Sequence, residues 1–168
     1  MAKYDWNRDR GNSKYASPVA SLPEGPKTFL DAAFNPPIVA DVAALGVFLQ
    51  NPLHNVSVYI QAMSNSAKSA LEAEAQAMLL AALLAHALSW KNVCFLSDCQ
   101  VLVDAAEAND LVSKPGHWAI RPILAEFAAT RNYHSQRVIK ISREENKIAD
   151  TLAKRAFRNR TDSTTSFS

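Results

Sequence analysis

Four carboxylates lie in four different sequence settings, each of which predicts a separate strand or helix. Asp31 lies within the apolar run Thr28 to Phe34, and Glu74 lies early in a long Ala- and Leu-rich segment. Asp98 ends a short apolar run, and Asp150 lies in a segment of helical periodicity. Because an isolated charge on an apolar element is costly to bury without a partner, one acid per element indicates a shared cation site.

The length and composition of the chain are those of one globular domain. Its 168 residues can bury one proper core but not two comfortable ones. A hydrophobic share of 48% and a charged share of 20% are typical of soluble globular proteins. No apolar run reaches the roughly 18 uninterrupted residues of a membrane span, so we expect no membrane partner.

The N-terminus and the cysteines indicate the compartment. Met1 to Lys14 is polar and charged and lacks the apolar core of a secretory signal. Cys94 and Cys99 flank the end of a predicted strand, and we interpret them as packing thiols of a reduced protein rather than a disulfide. The sequence therefore predicts an intracellular protein of the nucleus or cytoplasm.

The net charge of +2 conceals an uneven distribution. Residues 131–160 hold nine basic and three acidic side chains, a local charge of +6, which leaves −4 for the remainder. A basic C-terminal segment beside a group of acids could bind a polyanion. A solvated helical face explains the same charges, and charge alone slightly favours that interpretation.

Changes in periodicity divide the chain into a folded middle and two ends. Residues 1–25 are aperiodic and predict a flexible tail or linker, residues 26–160 predict the domain, and residues 161–168 predict a flexible tail. The predicted strands are 27–34, 42–50, 56–62, 93–96 and 138–141, and the predicted helices are 70–88, 100–108, 122–131 and 142–158.

Two capping boxes mark predicted helix starts. Ser69 is followed three residues later by Glu72, and Ser142 by Glu145. In such a box the glutamate reaches back to the start of its own helix. The first box therefore gives Glu72 a structural role and leaves Glu74 without one.

The element order β-β-β-α-β-α-α-β-α predicts an α/β fold. Three strands with short links form an antiparallel meander, and helical crossovers give right-handed parallel connections to the later strands. We therefore predict a mixed five-stranded sheet with helices on both faces. Sites in such sheets form at strand ends where the topology switches, which is where Asp98 lies. Gly46, inside the second strand, indicates a bulge or a packing site rather than a ligand contact.

Three segments in a fixed order resemble a known family. They are Ala73 to Ala77, Leu96 to Asp98 one helix and one strand later, and Arg143 to Ala153. Together they resemble the ribonuclease H (RNase H) family, and most closely its plant-type, reverse-transcriptase-associated RNase H-like domains. The likeness covers about residues 27–157, and its specificity lies in the ordered set rather than in any one segment.

The resemblance implies a metal-dependent nuclease. It places Asp31, Glu74, Asp98 and Asp150 on the family's four metal-binding, catalytic acids. The family hydrolyses the RNA strand of an RNA–DNA hybrid with two Mg²⁺ ions, for which we expect Mn²⁺ to substitute. Mg²⁺ prefers hard oxygen ligands and keeps several waters, so a few carboxylates and a substrate phosphate suffice.

The resemblance also implies contacts to a nucleic-acid backbone. Asn146 matches an asparagine of the family and lies four residues before Asp150, on the same helical face. There it could touch the substrate backbone or order the metal site. Arg143, Lys147 and Lys154 are candidates for phosphate contacts, although each alone is better explained as a solvated charge. The expected partner is an RNA–DNA hybrid or another nucleic acid, recognised by shape and the 2′-hydroxyl.

The chain departs from the family pattern at three places. The loop from 139 to 146 lacks the histidine that many of these enzymes carry, and we do not assign that role to His134. Ala32 replaces the glycine that usually follows the first acid, and Asn35-Pro36-Pro37 replaces a glycine-rich hairpin. These changes predict altered or weak binding and weak activity.

Three functions compete at this stage. The first is a metal-dependent endonuclease that cuts the RNA strand of RNA–DNA hybrids. The second is a non-catalytic nucleic-acid-binding domain derived from a retroelement, and the third is an exonuclease or integrase-like nuclease on the same fold. For assembly, we expect a monomer or a fragment of a larger polyprotein.

Overall fold

The computed structural model describes residue 22 and residues 24–34, 42–108, 115–130 and 137–165. These residues form five strands, four α-helices and one short 3₁₀ helix. In chain order the elements are β1 (Lys27–Phe34), β2 (Ala43–Asn51), β3 (Val56–Ser64), α1 (Ala70–Ala87), β4 (Cys94–Ser97), α2 (Gln100–Glu107), the 3₁₀ helix (Pro115–Ile120), α3 (Arg121–Thr130), β5 (Arg137–Lys140) and α4 (Lys147–Thr165).

The five strands form one mixed sheet in the order β3-β2-β1-β4-β5. The meander β1-β2-β3 is antiparallel, and a short turn at residues 52–55 joins β2 to β3. β4 pairs parallel to β1, and β5 parallel to β4, after helical crossovers. The predicted fold class and sheet type are therefore confirmed.

Helices cover both faces of the sheet, as predicted. On one face α1 packs on β1 and β2 and, with α2 and α3, buries the main core around Leu30, Val47, Met78, Phe95 and Phe127. On the other face α4 packs across β1, β2 and β3. Because side chains alternate along a strand, Gly46 lies on the face opposite to its core neighbour Val47 and meets α4.

Gly46 is a packing site, one of the two roles predicted for it. A Cβ added at this position would meet the carbonyl oxygen of Ala149 and would lie 2.6 Å from the backbone nitrogen of Ala153. Backbone atoms cannot rotate away as a flexible side chain can. The missing side chain therefore lets α4 lie directly against β2.

α1 is the one helix in the described part of the chain that is long and apolar enough to cross a membrane, with a mean hydropathy of 1.2 over 18 residues. Its strong helix formers and the Ser69 cap explain its length. Ala73, Ala77 and Ala81 are fully buried against the sheet and the neighbouring helices. α1 is thus the central helix of the core.

The main differences from the predicted elements concern α4. Ser142 and Glu145 form the predicted reciprocal hydrogen bonds, at 3.1 and 2.9 Å. They close a separate turn, however, and α4 begins only at Lys147. The helix then continues to Thr165, so the predicted end at 158 is too early, and residues 161–165 are helical.

The 3₁₀ helix from Pro115 to Ile120 lies directly before α3 and is an element that the sequence did not predict. The predicted N-terminal tail lies almost entirely outside the described residues, as do His134 and the hairpin residues Asn35, Pro36 and Pro37.

Candidate metal-binding active site

Asp31 lies at the centre of the sheet, on β1. It is only 6% exposed, and its partner across the β1–β2 pair is Gly46. The parallel register pairs Phe29 with Leu96. Continued by two residues, that register sets Asp98, just after β4, beside Asp31. The first and third predicted acids are therefore neighbours because their strands run in the same direction.

Glu74 reaches the same place from α1. The predicted capping residues are used: the backbone N–H of Glu72 donates to Ser69 Oγ over 3.1 Å, and Glu72 Oε2 reaches back to accept from the N–H of Lys68, one residue before the N-cap, over 3.1 Å. These hydrogen bonds hold the side chain of Glu72 at the start of the helix. Glu74 faces β1 instead, where its Oε1 accepts a hydrogen bond of 3.3 Å from the N–H of Ala32.

The carboxylates of Asp31, Glu74 and Asp98 converge. One oxygen of each lies within 4.8 Å of the others, which is close enough for a shared metal ion. The second oxygen of Glu74 is buried and has no hydrogen-bond partner. A buried oxygen without a donor is costly, so this arrangement fits a carboxylate that is completed by a cation.

Burial and mutual repulsion hold protons on this cluster. Burial is the main cause that raises the pKa of Asp31 from 3.8 to about 7, with the Asp98 charge acting in the same direction. Burial, followed by the negative charge of Asp31, raises the pKa of Glu74 well above its ordinary value. The cluster therefore keeps protons at a pH where exposed acids are fully ionised.

Asp150 lies next to this group of three but outside it. It comes from α4, which Gly46 allows to approach the sheet, and its side chain interacts with that of Asp31. Asp150 also forms a salt bridge of 2.9 Å with Lys154, one helical turn later. The side chains of Lys154 and Asp150 are 62% and 36% exposed. The fourth acid is therefore more open than Asp31, which is only 6% exposed.

Asn146 is completely buried, at 0% exposure. Its Nδ2 donates a hydrogen bond of 2.8 Å to the carbonyl oxygen of Leu30, the residue before Asp31. Its Oδ1 has no hydrogen-bond partner. Of the two roles predicted for this side chain, its position favours ordering the metal site over touching a substrate backbone.

The predicted phosphate contacts lie on the surface near the site. Arg143 and Lys147 are exposed in the turn before α4 and at its start. Lys154 is exposed too, but its ammonium group is paired with Asp150. The spacing of four residues between Lys154 and Asp150 in a helix is a signal from which this pair could have been predicted.

Both cysteines are free thiols, as predicted. Cys94 is buried in a small cluster with Leu96 and Ile141, and burial raises the pKa of its thiol to about 11. Cys99 is half-buried, and burial raises its pKa as well. Raised pKa values keep thiols protonated and unreactive, which fits packing roles.

Two surface features were missed from the sequence. The first is Trp118, which is 63% exposed, with the guanidinium of Arg121 3.5 Å from its ring centroid. The spacing of three residues between them, in a helical segment, was the available signal. The second is a pocket between the end of β1 and the middle of α4, whose aromatic residues are far apart in sequence.

Solved structures of RNase H proteins share this fold. RNase H1 from Halobacterium salinarum has a TM-score of 0.66 and 16% identity, over 80% of this chain and 98% of that one. The N-terminal RNase H domain of a Mycobacterium tuberculosis protein has a TM-score of 0.67 and 16% identity, over 83% and 97%. LC11-RNase H1 in complex with an RNA/DNA hybrid has a TM-score of 0.55 and 20% identity, over 81% and 99%.

Fold and acid cluster together define an RNase H-like domain. The sequence model of the family described as "Reverse transcriptase-like" matches residues 31–156, which include all four acids. The chain therefore belongs to this family, as its sequence resemblance predicts. No curated protein matches the chain.

Proposed function

We propose that this protein is a metal-dependent endonuclease that hydrolyses the RNA strand of RNA–DNA hybrids. The observation that carries the proposal is the convergence of Asp31, Glu74 and Asp98, with a buried, unpartnered oxygen on Glu74. Membership of the Reverse transcriptase-like family supports it, as does the likeness to LC11-RNase H1, which was solved with an RNA/DNA hybrid.

The residues present fit divalent cations. Asp31, Glu74 and Asp98 would hold them, with Asp150 as the fourth ligand, and Mg²⁺ is the proposed ion because its preferred ligands are carboxylate oxygens and water. When bound, two Mg²⁺ ions supply activation of the attacking water and charge stabilisation at the leaving 3′ oxygen. Mn²⁺ is expected to replace Mg²⁺.

The side chains of the site have separate tasks in this proposal. Asp31 and Glu74 must give up the protons that burial keeps on their carboxyl groups before they can act as ligands. Asn146 orders the Asp31 segment through Leu30. Arg143, Lys147 and Lys154 supply positive charge for the phosphates of the nucleic acid.

The proposed cellular compartment follows from the proposed substrate and from the free thiols. RNA–DNA hybrids and two free cysteines fit a reducing, intracellular compartment, either nucleus or cytoplasm. As for assembly, the proposal is a monomer or a part of a larger retroelement polyprotein.

A non-catalytic, retroelement-derived nucleic-acid-binding domain is the second candidate. Two observations favour it: Lys154 already pairs with the fourth acid, and Ala32 replaces the glycine of the family pattern. Both would lower activity without preventing binding.

Cleavage of a labelled RNA–DNA hybrid with Mg²⁺ or Mn²⁺ tests the proposal. The wild-type chain should cut the RNA strand alone, and a Glu74→Gln/Asp98→Asn double variant should not cut it. Asp104→Asn, which changes an exposed acid on α2, is the matched control and should keep full activity. Folded wild-type protein that binds hybrid but cuts nothing with either metal would establish the second candidate. Cleavage of DNA ends or single strands in preference to hybrids would indicate the exonuclease or integrase-like alternative.

A further inference from the structure

Lys154 neutralises the fourth acid of the site. Its ammonium nitrogen lies 2.9 Å from Oδ2 of Asp150, one helical turn earlier on α4. Among the described residues, no basic side chain forms a salt bridge with Asp31, Glu74 or Asp98. The four acids therefore divide into a group of three without a basic partner and a fourth that already has one.

The charge of Lys154 also acts on the buried part of the site. Its hydrogen bond with Asp150 and the negative charges of Asp150 and Asp31 raise the pKa of its ammonium group, which therefore stays charged. The side chain of Asp150 interacts with that of Asp31 as well. The same carboxylate thus interacts with a buried acid and with a lysine, and a metal ion that used Asp150 would compete with the ammonium group for it.

An ammonium group and a divalent ion compete for a carboxylate in two ways. Each hydrogen bond that a carboxylate oxygen accepts engages a lone pair that a metal ion would otherwise use. In addition, the two positive charges repel each other at short range. Because Mg²⁺ prefers carboxylate oxygens as ligands, it would need the atoms that Lys154 contacts.

The ion pair is open enough for its partners to exchange. The side chain of Lys154 is 62% exposed, and that of Asp150 is 36% exposed. Exposed ion pairs contribute little to stability, because solvent screens them and both side chains lose conformational freedom. The flexible stem of a lysine lets its ammonium group move to another anion. A divalent ion can therefore displace Lys154, but it binds more weakly than it would to a carboxylate without a partner.

We propose that Lys154 competes with the divalent ion at Asp150: it neutralises the acid while the ion is absent and is released when the ion binds. The inference rests on the proposed function, because it takes Asp150 to be a metal ligand. It predicts two unequal ion sites. The site formed by Asp31, Glu74 and Asp98 is the stronger, and the site that needs Asp150 is the weaker because Lys154 must leave first.

Mn²⁺ titration of the full chain without nucleic acid tests this inference. Electron paramagnetic resonance measures the free Mn²⁺, so binding is followed whether or not the protein cuts RNA. Lys154→Gln removes the charge but keeps a polar side chain, and a thermal melt verifies that the variant is folded. It should raise the affinity of the weaker site by about ten-fold. The affinity of the stronger site should change little.

Two further variants identify the contact with Asp150 as the cause. Arg155→Gln is the matched control, because it removes the same charge from the next position of α4, which is also exposed. It should leave both affinities close to those of the wild type. Asp150→Asn should abolish the weaker site, and Lys154→Gln should have no further effect in that background.

The outcomes distinguish the competition from catalysis. A weaker site that Lys154→Gln alone strengthens, or that is detected only in this variant, supports the inference even if the wild type cuts no hybrid. Equal affinities of Lys154→Gln and the wild type, or a single site in both, overturn it even if cleavage is normal. An equal gain from Arg155→Gln also overturns it, because net charge would then be the cause. A wild-type chain that binds no Mn²⁺ overturns both this inference and the proposed function.

Discussion

Asn146 and Leu30, which are 116 residues apart in sequence, are joined by a hydrogen bond of 2.8 Å from Nδ2 to the main-chain oxygen. Leu30 precedes the first acid of the site, and Asn146 lies one helical turn before the last. This contact therefore connects the strand that carries Asp31 to the helix that carries Asp150.

Asn146→Ala should destabilise the fold and loosen the site. The change leaves the Leu30 carbonyl buried without a donor, which costs about 1–3 kcal/mol of unfolding free energy. Urea denaturation measures this loss, and Mn²⁺ titration of the folded variant should show weaker binding. Asn65→Ala, at an exposed position directly after β3, is the control. An Asn146→Ala protein with wild-type stability and Mn²⁺ affinity would contradict the positioning role.

Gly46→Ala should be more harmful than its size suggests. The new methyl group would overlap the backbone of α4 at Ala149 and Ala153, which cannot move without shifting the helix. Overpacking of this kind costs about 1–3 kcal/mol or more, and hybrid cleavage should fall because Asp150 moves with α4. Gln61→Ala, at the exposed partner of Gly46 on β3, should change stability by less than about 0.5 kcal/mol. Similar stabilities of Gly46→Ala and Gln61→Ala would show that the contact between Gly46 and the backbone of α4 is not tight.

The buried acids predict how stability depends on pH. Asp31 has a pKa of about 7 in the folded state against 3.8 ordinarily, and the pKa of Glu74 is raised as well. Between about pH 4 and pH 7 the folded chain therefore binds more protons than the unfolded chain, so its stability decreases as the pH rises. Without divalent ions, the melting temperature should fall by several degrees across this window.

Asp31→Asn and added Mg²⁺ distinguish the contribution of the buried acids from the general pH dependence of the protein's stability. Asp31→Asn should flatten the pH dependence of the melting temperature, and Asp104→Asn should not. Mg²⁺ should raise the melting temperature of the wild type most at pH 8, where the acids are least protonated. A wild-type melting temperature that rises steadily from pH 5 to pH 8 in EDTA would show that the cluster does not hold these protons.

Lys147→Ala should weaken hybrid binding without changing sequence preference. An exposed lysine that contacts one phosphate contributes about one unit to the slope of log affinity against log salt. Fluorescence anisotropy at several salt concentrations measures this slope for the wild type and the variant. Lys91→Ala, in the exposed segment before β4 at the opposite strand end, should leave the slope unchanged. An unchanged slope for Lys147→Ala would show that Lys147 is a solvated surface charge and does not contact a phosphate.

The sequence predicted best what depends on local spacing. The Ser69–Glu72 box is local, and it separated the structural glutamate from Glu74 before any contact was known. The predicted short links between the meander strands and the predicted crossover helices likewise determined the sheet. These features need only neighbouring residues, so the pattern is sufficient.

What the pattern could not predict depends on contacts between distant segments. The capping box at Ser142 forms, yet α4 begins only at Lys147, and the side chain of Asn146 between them bonds to Leu30 on another element. The grouping of Asp31 with Asp150 rests on the contact of α4 with Gly46, for which resemblance rather than spacing was the guide. The pocket between Phe34 and Phe157 has no sequence signal at all.

The order of the four acids along the chain has a consequence for folding during synthesis on the ribosome. Asp31 lies on the first strand of the described fold and Asp150 on its last helix, while Glu74 and Asp98 come from elements between them. A ribosome-bound chain that has not yet released α4 exposes only an incomplete set of acids and lacks the Asn146 contact. The proposed hydrolysis would therefore begin only when the whole domain has emerged and closed, so that activity appearing during translation would report complete folding.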